Sequence, residues 1–507
     1  MTDAPWSGDA CSLVDAFRAG ERSPVDELDA TLAAIEASDL NCFSFLDPDR
    51  ARRAAEDADV SKPFGGVPIG IKELDHVEGW PYTEASLVFK DRVARYTSTS
   101  VQRIVDRGGA NPVGLTTASE FGGLNVSITK LNGVCHNPWQ HGKTAGGSSG
   151  GSGSAVAGGL VTIATGGDGG GSIRIPAGYN GLLGMKGTYG RIPRGPEAYI
   201  RPSTVVLGCM ARSVRDAARW YDVCSGYDTH DPTSLPRIDG WEADLGTRDL
   251  AGLKVAFVPD LGGGMLDPGV ADHLRDAAEA LCHETGMVLV DHSIQIPNLA
   301  AQWMMGNLAT LLADLQTEWP KCAPLLTEEL ATGIRMSTAM YNLHTAAVAE
   351  KRRVQANEAM AEAFDQFDLL LCATNPGPAF DAEASMSATD TGFVGRAQNS
   401  RAAKYAFRGS MGLIGAMATF APKSPNAIMD YATEKFPELT SMGALTMISN
   451  LCGNPAVSIP CGTIGGLPVG VQVCASHHAD KLLFDVALAY ERMDPWPLVA
   501  PSVADCY

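Results

Sequence analysis

The sequence predicts an α/β protein, and three observations lead to this prediction. Residues 253–290 follow a β-α-β pattern, and the apolar run at 367–373 is typical of a strand covered on both faces. Residues 155–164 are small and apolar enough for a tightly packed helix and strand. With 507 residues and 45% apolar composition, the chain is long enough to bury a large core.

The N-terminal part is predicted to consist of helices that cover the core. Between positions 9 and 60, apolar residues recur at three- and four-residue spacing. The segment GGVPIGIKE at 65–73 then reads as a short strand that ends at Lys72, and a helix at 100–108 and a strand at 112–116 follow. A lone lysine at a strand end is ordinarily a solvated charge, so its interpretation depends on its neighbours.

Two serine-bearing glycine clusters follow, GGSSGG at 146–151 and GGGS at 169–172. Glycine permits positive φ and lets backbone N–H groups face an anion. Two phosphate-binding motifs are excluded, since a Walker loop requires glycine where Asn137 stands and the dinucleotide fingerprint fails at Val156. The clusters therefore indicate an anion-binding loop of another kind.

The first cluster also fits G-x-S-x-G, the nucleophile elbow of α/β-hydrolases, with Ser148 or Ser149 at its centre. That motif requires a strand directly before it. The segment NPWQHGK at 137–143 is predicted to be a turn instead. The elbow interpretation is therefore disfavoured.

Taken together, these segments resemble the amidase signature family. The matching motifs are GVPIGIK at 66–72, GGSSGG at 146–151, GGSIRIP at 170–176 and GLLGMK at 181–186. The segments 452–460 and 466–472 resemble the family's closing strand pair, so the resemblance runs from about residue 10 to residue 495.

The resemblance implies a fold in which a mixed central β-sheet is sandwiched between layers of α-helices. It implies one amidase domain over residues 1–507, with an N-terminal helical region at 1–62. A catalytic core at 63–225 precedes a mostly helical and irregular substrate-covering region at 298–440, and strands and a helix at 441–495 close the fold.

The resemblance also assigns site residues. It makes Ser172 the nucleophile, Ser148 a bridging serine in a cis peptide, and Lys72 the base of the triad. A lysine can act as a base only if burial lowers its pKa from ~10.4 towards ~7–8. The expected oxyanion hole consists of the N–H groups of three glycines, Gly169, Gly170 and Gly171.

One part of the second cluster departs from the family pattern. The family usually has G-T-D-x-G-G-S, with a larger residue at x, whereas this chain has GGDGGGS at 166–172. The extra glycines, Gly167 and Gly169, are expected to leave more room beside the nucleophile. Asp168 and Arg174 are expected to brace this loop as an ion pair.

Later elements complete the expected fold. Ser213 is predicted to cap a helix, residues 225–250 to form a loop, and residues 267–284 to form the helix of the β-α-β unit. Residues 298–367 are predicted to be helical and residues 380–437 to be an irregular, substrate-covering insertion. A helical apolar stripe is expected to contribute to the core or to a pocket wall: Met304, Leu308, Leu311, Leu312, Met336, Met340, Leu343 and Ala347.

Charge and cysteine usage exclude several classes of protein. The net charge of −19 argues against nucleic acid and anionic membranes as partners. The twelve cysteines contain no C-x-x-C pair, and the first residues do not resemble a signal peptide, so a cytoplasmic location is expected. His283 and Glu284 begin an H-E-x-x-H motif that fails at Met287, and neither a metal nor an organic cofactor is expected.

The expected function is amide-bond hydrolysis on a small-molecule substrate through an acyl-enzyme. The sequence does not choose among aryl amides, lactam oligomers and carbamates, and it leaves open whether the chain is a monomer or a homodimer. The alternative is an A-type subunit of glutamyl-tRNA amidotransferase, which feeds ammonia to a partner. A catalytically silent binding protein is a third class, which Lys72, Ser148 and Ser172 argue against.

Overall fold

The protein is described by a computed structural model that covers residues 4–197, 203–383, 418, 421–435 and 441–504. Strands and helices alternate along most of this length, and the strands assemble into a large mixed sheet. The α/β prediction is therefore confirmed. Within the described ranges, no helix is long and apolar enough to cross a membrane.

Eleven of the described strands form the central sheet and four form two small hairpins. In chain order the strands are β1 (Phe43–Leu46), β2 (Pro68–Lys72), β3 (Asn111–Thr116), β4 (Ile128–Thr129), β5 (Gly133–Val134), β6 (His136–Asn137), β7 (Gln140–Thr144), β8 (Ile163–Asp168), β9 (Leu183–Lys186), β10 (Val206–Ala211), β11 (Lys254–Phe257), β12 (Val288–Asp291), β13 (Leu369–Ala373), β14 (Ala456–Ile464) and β15 (Leu467–Ala475).

Helices precede, connect and follow these strands. They are α1 (Ala10–Ala19), α2 (Pro24–Ala37), α3 (Pro48–Glu56), α4 (Thr99–Asp106), α5 (Gly150–Ala157), α6 (Arg174–Asn180), α7 (Val214–Cys224), α8 (Val270–Thr285), α9 (Ala300–Leu315), α10 (Glu328–Met340), α11 (Leu343–Phe364), α12 (Ser424–Lys435), α13 (Ser441–Ala444), α14 (Met447–Cys452), α15 (Asp480–Met493) and α16 (Pro501–Ala504).

The order of strands across the central sheet is β1-β3-β2-β8-β10-β9-β14-β15-β13-β11-β12. β2 runs parallel to β3 and β8, and β11 runs parallel to β12 and β13, whereas the other neighbours in this sheet are antiparallel. The C-terminal hairpin β14–β15 lies between β9 and β13. It joins a half of the sheet built from residues 43–211 to a half built from residues 254–373.

Burial explains why these segments form central strands. Every residue of β2, β3, β13 and β15 is buried, as expected for strands covered on both faces. The predicted β-α-β unit is present as β11, α8 and β12. Helix α7 begins as predicted, because the Ser213 hydroxyl accepts a hydrogen bond from the Asp216 N–H at 3.2 Å.

The structure corrects four details of the sequence analysis. Residues 137–143, predicted to be a turn, contain most of β7, which pairs with β6 in a separate hairpin. β1 was predicted to be part of a helical region. Helix α8 begins at Val270, after Gly269 with φ +84°, rather than at residue 267. Leu343, expected on a buried stripe, is 91% exposed at the start of α11.

The predicted irregular insertion at 380–437 lies mostly outside the described residues. Its described part is more regular than expected, since residues 424–435 form α12. Arg352 of α11 contacts Asp430 of α12 through two hydrogen bonds of 2.6 and 2.7 Å. This helix therefore packs on the same side of the molecule as α9 and α11.

Candidate active site

The candidate site lies where two neighbouring parallel strands end. β2 ends at Lys72 and β8 ends at Asp168, and the two strands pair directly through Ile69 opposite Ile163. Because parallel strands end at the same edge of a sheet, Lys72 and the loop that carries Ser172 emerge side by side.

Lys72 and Ser148 are in direct contact. The Lys72 Nζ lies 2.7 Å from the Ser148 Oγ and donates a longer hydrogen bond, at 3.3 Å, to the carbonyl oxygen of Gly167. Both side chains are buried, and the Gly147–Ser148 peptide is cis, as the resemblance implies. The structure thus brings together the predicted base and the predicted bridging serine.

The environment of Lys72 suits a base. Burial lowers the pKa of the Lys72 amine to about 8, against the opposing charges of Asp75, Asp168 and Glu84. Asp75 is linked to Lys72 through Thr165. The Thr165 Oγ1 donates a 2.7 Å hydrogen bond to the Asp75 carboxylate and accepts another, also of 2.7 Å, from the Lys72 backbone N–H. At pH 7 about a tenth of this lysine is therefore neutral, far more than for an exposed lysine.

Ser172 follows a loop that only glycine can form. Gly171 has φ +129°, and a Cβ at this position would overlap the Thr446 hydroxyl. Ser172 itself is 6% exposed, and its hydroxyl makes no hydrogen bond to any residue in the described ranges. It lies five residues beyond Gly167, whose carbonyl accepts a hydrogen bond from Lys72.

The predicted oxyanion donors are not equivalent. The N–H of Gly171 donates to Asp168 Oδ1 at 2.7 Å and is therefore engaged. Among the described residues, the N–H groups of Gly169, Gly170 and Ser172 have no acceptor. These three groups are the ones left to stabilise a developing negative charge.

A buried ionic network holds this loop in place. Arg174 forms an ion pair with Asp168 at 2.9 Å, as predicted, and both side chains are fully buried. Arg174 also donates to Gln472 at 2.6 Å and to Asn450 at 2.6 Å, and the Asn450 amide donates to Asp168. Although burial favours the neutral acid, Arg174 holds the pKa of Asp168 well below its usual range.

No sequence signal marked the residues that complete this network. Thr446, Asn450 and Gln472 are more than 270 positions away from the loop, yet Thr446 donates to the Gly170 carbonyl at 2.6 Å. Single polar residues in an α-helix or a β-strand carry no recognisable pattern. A buried arginine with only one predicted partner was the available clue, because its remaining donors require acceptors.

The walls of the site come from two other segments. A side-chain carbon at Gly122 would lie 3.5 Å from the Ser148 Oγ, so the turn at 120–123 sits against the bridging serine. Glu120 fixes this turn by accepting hydrogen bonds from Ser86 and Thr327. The indole ring of Trp303 packs against Gly170, where a Cβ would collide with it. Helix α9 thus forms a wall of the site.

Glu84 is the third carboxyl group that acts on Lys72, after Asp75 and Asp168. Its backbone has φ +53°, and its carbonyl accepts a 2.9 Å hydrogen bond from Phe121 of the turn beside Ser148. Burial raises the pKa of the Glu84 carboxyl to about 7, although the hydrogen bond that the Tyr82 hydroxyl donates to it acts in the opposite direction.

Lys186, the other buried lysine of the motif region, has a different environment. Its Nζ donates to the backbone carbonyls of Asn454 and Gly187, which ties β9 to the start of the closing hairpin. Burial lowers the pKa of this amine to about 7. Its contacts are structural, in contrast to the serine contact of Lys72.

One group of described side chains, Asp9, Cys11 and Asp216, is spaced closely enough to ligate a metal. Its oxygens already have partners, however. Asp216 accepts from the N–H groups of Ala10 and Cys11 at 2.9 Å each, and Asp9 accepts from Arg215. This cluster therefore caps helix α1 and joins it to α7.

Similarity to known proteins extends over most of the chain. A family model described as Amidase matches residues 26–402. The A-type subunit of the glutamyl-tRNA(Gln) amidotransferase of Akkermansia muciniphila is 29% identical, and the match covers 94% of this chain and 97% of that protein.

Two solved structures share the fold over almost the whole chain. A bacterial aryl acylamidase of the amidase signature family has a TM-score of 0.83 at 23% identity, and the match covers 98% of each chain. A 6-aminohexanoate cyclic dimer hydrolase complexed with substrate has a TM-score of 0.80 at 26% identity, and the match covers 98% of this chain and 99% of that chain.

Proposed function

The chain belongs to the amidase family, and we propose that it hydrolyses amide bonds through an acyl-enzyme formed on Ser172. The observation that carries this proposal is the 2.7 Å contact between the Ser148 hydroxyl and a buried Lys72 whose pKa is lowered to about 8. A serine hydroxyl needs such a base within hydrogen-bond reach to become a nucleophile.

In the proposed first step, the Ser172 Oγ attacks the carbonyl carbon of the amide. Its proton passes to Ser148, whose own proton passes to the neutral amine of Lys72. The carbonyl oxygen becomes an oxyanion, which accepts hydrogen bonds from the free N–H groups of Gly169 and Gly170. Each such donor typically lowers the barrier by about 2.7–4 kcal/mol.

Gly171 has a different part in this proposal. Because its N–H is engaged by Asp168, it contributes the backbone conformation of the oxyanion loop, and the Ser172 N–H joins the two donors instead.

Collapse of the tetrahedral intermediate breaks the C–N bond. The leaving amine takes up the proton that Lys72 returns through Ser148, and an ester on Ser172 remains. Water then attacks this ester, and the same two residues accept its proton and deliver it back to the Ser172 oxygen. The products are a carboxylic acid and an amine, so atoms and protons balance without any other reactant.

We propose a small-molecule amide as the substrate, from among aryl amides, lactam oligomers and carbamates. The activities named for two structural relatives, an aryl acylamidase and a cyclic dimer hydrolase, support this range. The indole ring of Trp303, which packs against Gly170, also favours an amide with apolar substituents over glutamine.

A second candidate is an amidotransferase A-type subunit, which the full-length similarity to proteins of that name favours. The two candidates differ in what the isolated chain does. A hydrolase turns over amides alone, whereas an A-type subunit would release ammonia from glutamine and need a partner to use it.

The deciding experiment is a panel of anilides, lactams, carbamates, esters and glutamine, tested on the isolated protein with and without EDTA. We expect turnover of at least one non-glutamine amide, loss of that turnover in Ser172→Ala, and no effect of the chelator. Turnover of glutamine alone would favour the amidotransferase. Activity lost in EDTA and restored by a divalent metal would overturn the proposed mechanism.

A further inference from the structure

The space beside the base is open on one side because position 167 has no side chain. Gly167 is the penultimate residue of β8 and is half-buried. A Cβ built on it would lie 3.9 Å from the Lys72 Nζ and 3.5 Å from the Leu207 Cδ2. Both are ordinary van der Waals contacts, so a Cβ fits here without displacing its neighbours.

The hydrogen bonds of Lys72 show what this open position costs the charged form. An ammonium group has three N–H donors. Within the described residues it finds two acceptors, the Ser148 Oγ at 2.7 Å and the Gly167 carbonyl at 3.3 Å. The neutral amine has two N–H donors and one lone pair, and the lone pair can accept from the Ser148 hydroxyl. The contacts present therefore suit the neutral amine better than the ammonium.

We propose that Gly167 is a positioning residue that sets the pH range in which Lys72 acts as a base, because it withholds a third hydrogen-bond acceptor from the ammonium form. This inference rests on the proposed function, in which Lys72 accepts the relayed proton. It goes beyond that function by assigning a task to a glycine outside the proposed triad and the proposed oxyanion donors.

Three carboxyl groups act on Lys72 from the elements around it, and all of them oppose the effect of Gly167. They are Asp75 after β2, Asp168 at the end of β8 and Glu84 in the loop beside the turn at 120–123, and each raises the pKa of the amine. Each hydroxyl variant and its apolar partner keep all three carboxyl groups. A difference in pH profile between the two members of a pair therefore reports on the added hydroxyl.

The test uses two matched pairs of variants. Gly167→Ser and Gly167→Thr place a hydroxyl one bond beyond a Cβ that lies 3.9 Å from the Lys72 Nζ, within hydrogen-bond reach. Gly167→Ala and Gly167→Val add similar bulk without an acceptor. Thr and Val are also favourable residues in a β-strand. This pair therefore provides a second comparison if the Ser or Ala variant does not fold.

The readout is the rate of irreversible inactivation by a fluorophosphonate, measured between about pH 6 and about pH 11. In this reaction Ser172 Oγ bonds to phosphorus, fluoride leaves, and the proton passes to Lys72 through Ser148. We expect the midpoint to rise by about one unit in the two hydroxyl variants, so that inactivation below the midpoint is about tenfold slower than in the apolar variants. At the highest pH the four rates should converge.

Two outcomes would overturn this inference. One is a hydroxyl variant that keeps the wild-type thermal unfolding transition but whose inactivation has the same pH midpoint as that of its apolar partner. The other is an apolar variant whose midpoint rises as far as that of its hydroxyl partner. Failure of the proposed function looks different, since wild-type protein would then not be inactivated or would carry the adduct on a residue other than Ser172.

Discussion

Burial of Lys72 makes the stability of the fold depend on pH. In the unfolded chain an amine of this kind ionises with a pKa of about 10.5, whereas burial lowers the value to about 8 in the folded protein. As pH falls from about 10.5 to about 8, the unfolded chain takes up the proton first, so the free energy of unfolding decreases. Below about pH 8 both states are protonated and this loss is constant.

Replacement of Lys72 by Met should remove this loss together with the base. At ~1.4 kcal/mol per pKa unit, the variant should be more stable than wild type by roughly 3.5 kcal/mol below pH 8, with the difference vanishing above about pH 10.5. Urea unfolding of both proteins across this range measures the difference. Amide turnover should fall by several orders of magnitude. Parallel stability curves, or an unchanged pH–rate profile, would show that this lysine is not the buried base.

The two serines should respond differently to substitution. Ser172→Ala removes the attacking oxygen and should abolish turnover, whereas Ser148→Ala leaves the nucleophile and should retain a small residual activity. Single-turnover kinetics measures both variants. Intact-mass analysis and peptide mapping should place a fluorophosphonate adduct on Ser172, and an adduct on Ser148 would reverse the two roles.

The loop between β8 and α6 has no regular structure but is held by many buried hydrogen bonds. Its shape depends on the carboxylate of Asp168, which accepts from Gly171 and Arg174, and Arg174 in turn reaches α14 and β15. Every charge in this network is buried, so each group depends on the others for its hydrogen bonds.

Asp168→Asn should destabilise the protein by about 3–5 kcal/mol, because it leaves the buried Arg174 guanidinium without a counter-charge. Chemical denaturation measures this value. The matched control is Asp291→Asn, which alters the exposed pair with Arg275 and should cost less than about 1 kcal/mol. Equal effects of the two substitutions would contradict a structural role for the buried pair.

The elements that could be predicted are those whose pattern is local. Burial restricts β2 and β13 to apolar residues, so both strands could be recognised in the sequence. Positive φ favours glycine, so the glycine clusters around Ser148 and Ser172 could be recognised too. β1 was missed because this short strand, FSFL, lies between helices α2 and α3 and was included in the helical pattern around it. The acceptors of Arg174 escaped because they depend on pairing across hundreds of residues.

At the scale of the whole molecule, the closing hairpin makes the two halves of the sheet dependent on each other. β14 pairs with β9, and β15 pairs with β13. Gln472 of β15 and Asn450 of α14 also reach the loop that carries Ser172. We therefore propose that the two halves behave as a single domain.

We expect this coupling to appear as one unfolding transition. Tryptophan fluorescence, far-UV circular dichroism and amide turnover should lose their native values at the same urea concentration. The reason is that the loop that carries Ser172 loses its contacts to Gln472 when the hairpin β14–β15 separates from the sheet. Two resolved midpoints, with one half of the sheet surviving the other, would contradict this expectation and the single domain.

The position of the closing hairpin also affects the protein while it is being synthesised. Lys72, Ser148 and Ser172 leave the ribosome early, but Gln472 follows Ser172 by about 300 residues, which takes about 15–60 s at ~5–20 residues per second. During that time β9 has no partner at its open edge and Arg174 lacks its acceptors. We therefore expect the edge of β9 to become paired, and the loop that carries Ser172 to reach its final shape, only when translation is nearly complete.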